Sequence, residues 1–389
     1  MNKLHFTREQ ITKILEEIAQ KEGGLNELMT LSLEALMRSE RTVHNKENQD
    51  VSNGYRRRKS FGHGKLLELQ VPRSRYGQFY PVLLSILKDQ EEESKRLAFS
   101  LYGSGLTTEQ VGEVFDELYG RHYSKSNISR IFDYAREEVQ AWMERPLEAY
   151  YPILYIDAVF ISTRRVDSVM KEAYYTILGV RPDRRREVLA IVNFPTESSI
   201  AWQEVLGHLK TRGVRKVNLV VSDGLKGIEQ AVASEYPQAE VQLCVVHLER
   251  NVQKHIRPKE KAAVSQDFKE VFDLNNKEDT IENGWQRWLG FCRKWGTKYP
   301  SIKRMGEDQR NRLYFTCLGY DYRIRSMIYT TNWIERLNRD YKRVTKMRGA
   351  LPNAEATLLL LGRVAMTRKA YSRKIPKLDY ETEKFSWEE

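Results

Sequence analysis

The sequence predicts a multidomain α/β protein: a mixed sheet with helices on its faces, interrupted by an all-helical stretch and preceded by helical regions. Three observations predict it. Near Tyr151 the apolar period changes from that of a helix to that of strands, and from there to His247 strand-like runs alternate with helix-like ones. From Leu248 to Ile328 the strand signals stop. The length, 389 residues, also exceeds one ordinary core at roughly 150 residues per domain.

From Thr7 to about Met37 apolar residues recur at helix spacing (Ile11, Ile14, Leu15, Ile18), broken at Gly23 and Gly24, so residues 1–48 read as an N-terminal helical region. A helical pair this short buries itself poorly and is expected to pack on another domain or on a second copy of the chain. The run HNKENQDVSNGYRRRKSFGHGK is polar and rich in turn formers and reads as a linker or mobile arm, followed by LLELQVP as a short strand. Residues 107–143 read as two helices around a short turn. The first is capped by Thr107 and Thr108 and ends near Leu118. After a break at Gly120, Ser124 or Ser126 caps the second, whose inner face carries Ile128, Ile131, Phe132, Ala135, Val139 and Trp142. This spacing suits a helix-turn-helix and equally an ordinary helical hairpin. The nearby cations Arg56, Arg57, Arg58, Lys59, Lys65, Arg73 and Arg75, opposed in that stretch only by Glu68, favour a DNA-binding region over residues 49–145. On the second helix, Lys125, Ser126, Asn127 and Arg130 are the candidate contacts.

After the joint RPLEAYYP, the segment YPILYIDAVFIST is apolar on both faces, as a central strand should be. EAYYTILGV, the turn RPDRRR and EVLAIVNF predict a hairpin. SSIAWQEVLGHLKTRG then predicts a helix with a Gly stop, VNLVVSD a strand, LKGIEQAVASEYP a helix and VQLCVVH a last strand. Strands joined through helices imply parallel crossovers. The α/β core is thus expected over 150–250 and 329–372, split by an all-helical insertion over 251–328, with a surface tail at 373–389. Within the insertion, Trp285, Trp288 and Trp295 have the spacing of a helix-packing face, the reading preferred over base stacking.

The totals narrow the function. No apolar run approaches the roughly 20 residues that span a bilayer, and MNKLHFTREQ has no apolar stretch before a cleavage site, so a protein inside the cell and off the membrane is expected. Three cysteines without a CxxC pair fit a reducing compartment. A net charge of +11 makes a polyanion the natural partner, though charge alone equally describes a solvated basic surface. The absence of GxxxxGK[ST] argues against a nucleotide cofactor.

Three carboxylates stand out. Asp157 lies in the middle of an apolar strand, where an ionised group costs several kcal/mol without compensation. Asp223 closes VNLVVSD, at the strand end where sites form in sheets with crossover helices. If those strands are neighbours the two acids face one another, and a hard oxygen site suits Mg²⁺ or Mn²⁺. Glu335 has two readings: a capping residue three positions after Asn332, or a further metal ligand. On a helical wheel Ile334, Leu337, Tyr341 and Val344 form the buried stripe, opposite Glu335, Arg339, Lys342 and Lys346. With Arg343, these cations would hold a phosphate backbone beside the acid. Two hard cations about 4 Å apart activate an attacking oxygen and stabilise the leaving one at a phosphodiester.

YIDAVFI, TESSIAWQEVL, LKTRGV, VSDGLKGI, VQLCVVHLERNV, TTNWIERLNR, LPNAEATLLLL and VPRSRYGQFYP together resemble the Mutator-type DDE transposases of prokaryotic insertion sequences, over nearly the whole chain. The resemblance implies a ribonuclease H-like core, cleavage at element ends and strand transfer into target DNA. It implies that Asp157, Asp223 and Glu335 bind two divalent ions, that double-stranded terminal repeats and target DNA are the partners, that the chain acts as a homodimer, and that it works in a prokaryotic cytoplasm at the nucleoid. Cys244 and His247 match the family's Cys-x-x-His signature. This lacks the second pair of a structural zinc site, so both are placed beside the ligands rather than among them. Two departures are the turn RPDRRR, without the Gly relatives often carry, and NGYRRRKS, where relatives often carry Asn-Arg-Asn-Gly.

Three rivals remain. His247-Leu-Glu-Arg250 also matches the HxxR fragment of tyrosine recombinases, a metal-free chemistry that leaves buried Asp157 unexplained. A catalytically silent DNA-binding repressor derived from a transposase, or a metal-dependent nuclease without joining activity, would keep the same charge pattern.

Overall fold

The computed structural model describes residues 7–19, 24–62, 65–76, 79–119, 125–165, 168–194 and 198–367, and so leaves out the C-terminal tail. Two compact units divide the chain, residues 1–135 and 136–389.

In the first unit, α1 (Arg8–Ala19) and α2 (Gly24–Glu47) precede an antiparallel pair, β1 (Ser52–Gly62) and β2 (Lys65–Ser74). Then come α3 (Val82–Gly103), α4 (Thr108–Tyr119) and α5 (Lys125–Met143), which runs across the division. Three segments differ from the sequence reading. α2 continues ten residues past Met37, and the supposed linker around RRRK is strand β1. Polarity misled there because β1 contributes no apolar face of its own. The buried face belongs to β2, whose Leu67, Leu69 and Val71 pack with Met37 of α2 and with Leu84 and Leu87 of α3. A register shift between Ser52 and Tyr55 takes Gly54 to φ 66°, and Arg41 donates to the Gly54 and Arg73 carbonyls across it. Residues 82–103, to which the sequence reading assigns no element, form α3 behind Pro81.

The start of α4 follows the expectation. The Thr107 N–H donates to Gln110 Oε1 (2.9 Å) and the Gln110 N–H to Thr107 Oγ1 (3.2 Å), a reciprocal capping box. Gly120 and Ser124 lie outside the described residues. On α5, Phe132, Ala135 and Val139 are buried, and Phe132 meets Tyr102 edge-on. Of Ile128 and Ile131 only the backbone is described.

The second unit is mixed α/β around a five-stranded sheet. Its strands are β3 (Tyr150–Arg164), β4 (Val169–Val180), β5 (Arg186–Asn193), β6 (Lys216–Ser222) and β7 (Glu240–Leu243), in the order β5-β4-β3-β6-β7. The first three pair antiparallel, whereas β3-β6 and β6-β7 are parallel. The crossovers are α6 (Ser199–Thr211), capped by Ser198 Oγ accepting from the Ala201 N–H, and α7 (Ile228–Glu235). At the β4-β5 turn Arg184 adopts φ 67°, the left-handed conformation that a Gly would reach without cost. Gly227, at φ 80°, lies against the backbone of Ser199, leaving no room for a side chain.

The last strand is shorter than predicted. VQLCVVH ends as strand at Leu243, the partner of Ser222, and Cys244 instead caps α8 (Val245–Lys254). An apolar run alone does not distinguish strand from buried helix start. After α8 come α9 (Lys261–Val271), α10 (Ile281–Gly296), α11 (Pro300–Glu307), a 3₁₀ segment (Gln309–Gly319) and α12 (Tyr322–Ile328). Trp285 and Trp288 are buried, and Trp295 Nε1 donates to Asp267 Oδ2 at 2.7 Å, so the tryptophans pack the insertion as expected. The 3₁₀ segment covers the sheet edge: Thr316 Oγ1 donates to the Val241 carbonyl, and Gln242 joins the Tyr314 carbonyl to the Cys317 N–H.

Finally α13 (Asn332–Lys346) packs on β3, and α14 (Ala354–Thr367) on β5 and β3. The two sheet faces separate by alternation. Ala158 faces the side of its partner Tyr175, which meets Trp202 of α6, whereas Asp157 and its partner Thr176 face the other side. Among the described residues no helix is long and apolar enough to cross a membrane.

Candidate metal centre

Because β3 and β6 are parallel neighbours, with Ile156 opposite Ser222, the sheet brings Asp157 beside Asp223 at its C-terminal edge. Asp157 is only 5% exposed. Burial pushes its pKa up to about 6, against the pull of His247 and the Ala158 N–H and with the help of the Asp223 and Glu335 charges. Its Oδ2 accepts from Asn338 Nδ2 at 2.8 Å. Asp223 lies just past β6 in a tight turn, where its Oδ1 accepts from the Gly224 N–H at 2.7 Å. The insertion grips this turn: Arg310 donates to the Leu225 carbonyl (3.0 Å) and to Glu229 (2.6 Å).

The start of α8 delivers the third group. The Cys244 N–H donates to the Ser222 carbonyl at 2.8 Å, tying the helix to the residue before Asp223. One turn on, His247 Nδ1 stands 3.7 Å from Asp223 Oδ1. Donor atoms of Asp157, Asp223 and His247 all lie within 4.8 Å of one another. Burial lowers the His247 pKa, but the interaction with Cys244 and the charges of Asp223 and Asp157 outweigh it and raise the value to about 9. Cys244 moves the opposite way: burial raises its thiol, while His247 and the Thr331 donors bring it below the usual range. Its Sγ accepts from the Thr331 N–H and Oγ1, both at 3.5 Å.

Glu335 stands near this group without joining it. Its Oε1 accepts from Arg250 Nη2 at 3.2 Å, and its charge is felt at Asp157. The capping reading gains nothing, since the N-cap of α13 is Thr331 rather than Asn332 and no side-chain cap bond forms there. The buried stripe of α13 is Ile334, Leu337, Asn338, Tyr341, Val344 and Thr345, and Arg339, Lys342, Arg343 and Lys346 are exposed. Sequence reasoning missed Asn338 and Arg310, and named Arg250 only within the HxxR fragment of the tyrosine-recombinase reading. Asn338 had a signal, a polar residue within an apolar helical stripe.

The donor chemistry fits a divalent cation. Two carboxylates provide hard oxygens and negative charge, and the buried His247 Nδ1 has no hydrogen-bond partner among the described residues. In the first unit, Arg56, Arg57, Arg58 and Lys59 lie on β1, and Arg73 and Arg75 at the end of β2 are exposed. Lys59 pairs with Glu68 at 3.1 Å. Lys125, Ser126, Asn127 and Arg130 occupy the first turns of α5, but their side chains lie outside the described residues.

Fold and site define a mixed α/β sheet with a candidate divalent-metal centre on its central strands. Residues 5–373 match the family described as "Transposase, Mutator family", and the chain belongs to that family. It is similar to the "Transposase for insertion sequence element IS905" of Lactococcus lactis subsp. lactis (strain IL1403), 32% identical over 89% of this chain and 90% of the relative. It is also similar to the "Transposase for insertion sequence element IS1201" of Lactobacillus helveticus, 30% identical over 93% and 96%. A third relative is the "Transposase for insertion sequence element IS256 in transposon Tn4001" of Staphylococcus aureus, 28% identical over 94% and 95%.

Proposed function

We propose that the chain is a DDE transposase that cleaves DNA at insertion-sequence ends and joins the freed 3′-hydroxyl to target DNA on a ribonuclease H-like core. The observation that carries this reading is the meeting of Asp157, midway along β3, with Asp223 at the end of the adjacent β6, with Glu335 close enough for its charge to act on Asp157. The strand order, three antiparallel and then two parallel strands, supports the ribonuclease H-like assignment.

Asp157, Asp223 and Glu335 would hold Mg²⁺ or Mn²⁺, which as a pair supplies activation of the attacking oxygen and stabilisation of the leaving one. Asn338 orients the Asp157 carboxylate from the helix side. Arg339, Lys342, Arg343 and Lys346 offer an exposed row of cations to the phosphates of the reacting strand. In the other unit the basic hairpin and the start of α5 contact double-stranded terminal repeats, α4 and α5 acting as a helix-turn-helix, and a homodimer brings two ends together. The working place is the prokaryotic cytoplasm, at the nucleoid.

The test incubates purified protein with precut element ends, plasmid DNA and Mn²⁺. Wild type is expected to yield joined product, whereas Asp157→Asn, Asp223→Asn and Glu335→Gln yield none while binding end DNA with near wild-type affinity by fluorescence anisotropy. Nicking without joining would identify a plain nuclease, and DNA binding without cutting a repressor. Full activity after complete removal of metal by EDTA would favour a tyrosine enzyme.

A further inference from the structure

We propose that His247 is itself a ligand of the divalent ion, its Nδ1 joining Asp157 and Asp223 in a mixed carboxylate and imidazole set, and that the site therefore favours Mn²⁺ over Mg²⁺. The inference rests on the metal-centre reading above and departs from the sequence expectation, which kept the Cys-x-x-His pair outside the ligands.

Geometry comes first. Two atoms each about 2.1 Å from one ion stand at most about 4.2 Å apart. His247 Nδ1 and Asp223 Oδ1, at 3.7 Å, are inside that limit, yet too far apart for a hydrogen bond. The nitrogen is buried and without a hydrogen-bond partner among the described residues, and a divalent ion seated with the two carboxylates would take the place of its proton.

The mounting is fixed as well. Cys244 caps α8 with its N–H on the Ser222 carbonyl and its sulfur held by Thr331. Asp223 and His247 are thus set by one strand end and the first turn of the helix that follows its neighbour. Ligation through Nδ1 requires the ring proton on Nε2, so Arg250 must not donate into the ring. Its Nη1 is 3.4 Å from Nε2, long for such a bond, while its Nη2 makes the charge-assisted contact with Glu335 at 3.2 Å. The same ion pair leaves Glu335 outside the first three donors.

Metal preference follows from donor type. Mg²⁺ favours an all-oxygen shell, and an imidazole nitrogen suits the later divalent ions better, Mn²⁺ among them.

The test reads the bound ion directly, without catalysis. Mn²⁺ is titrated into the full chain and followed by electron paramagnetic resonance, and three-pulse electron spin-echo modulation reports any coordinated nitrogen. Wild type is expected to show ¹⁴N modulation that changes to the ¹⁵N pattern when the protein is grown on ¹⁵N-histidine. His247→Gln is expected to keep bound Mn²⁺ but to lose the modulation, with affinity reduced by about tenfold or more, and to lose less affinity for Mg²⁺. Bound Mn²⁺ without nitrogen modulation in wild type, or modulation that survives in His247→Gln, overturns the proposal while leaving the carboxylate site standing. Unchanged Mn²⁺ binding in Asp157→Asn and Asp223→Asn overturns the metal-centre reading and this proposal with it.

Discussion

Asp157 combines deep burial with an ionisable carboxyl, and its pKa of about 6 compares with an ordinary value of 3.8. In the folded state it therefore holds a proton more tightly than in the unfolded chain. Stability is present in full below about pH 4 and is lost as pH rises through 6, by about 1–3 kcal/mol. Asp157→Asn removes that dependence, because an amide never ionises and its carbonyl can still accept from Asn338. The variant is expected to be about 1–3 kcal/mol more stable than wild type at pH 7 in EDTA, the difference closing near pH 4. Urea denaturation across this range checks it, and parallel curves would show that the carboxyl carries no burial cost. The need for compensation at Asp157 was legible because one acid interrupts an apolar strand. The identity of the compensating groups was not, since Asn338 and His247 reach it from elements 181 and 90 residues further along the chain.

At the level of elements, the sheet was legible where period-two runs were long. β3, β4, β5 and β6 all fall where the alternation or apolar runs place them. Strand β1 was hidden because its partner supplies the apolar face, and the passage from β7 to α8 because Leu243, Cys244 and Val245 are equally apolar in strand or helix. The 3₁₀ segment was hidden for a different reason: its role depends on a long-range grip. Arg310 within it holds the turn after β6 through the Leu225 carbonyl and Glu229. Arg310→Ala is expected to cost only about 1 kcal/mol in global stability, since the guanidinium is partly exposed. The local effect should be larger. Hydrogen exchange of residues 223–228 is expected to speed up by about fivefold or more, as a 1 kcal/mol loss of local closure implies. Exchange at the wild-type rate would show that the insertion does not hold the Asp223 turn.

For the whole molecule, an excess of 64 basic over 53 acidic residues predicts DNA affinity that falls steeply with salt. Arg57, exposed on β1, is expected to act on phosphates rather than bases. Arg57→Gln should weaken binding to end DNA and to random duplex alike and lower the slope of log K against log salt by about 1. Anisotropy titrations from 50 to 200 mM salt check this, and a loss confined to end DNA would instead assign Arg57 a base contact. The bond from Asn338 to Asp157 joins groups 181 residues apart, and α13 lies on the face of β3 that carries the acid. At about 5–20 residues per second, synthesis takes roughly 10–35 s to pass from one to the other. Between Asp223 and Glu335 the nascent chain has two of the three proposed acids and lacks the third, so a product truncated before Asn332 is expected to leave the genome that encodes it uncut.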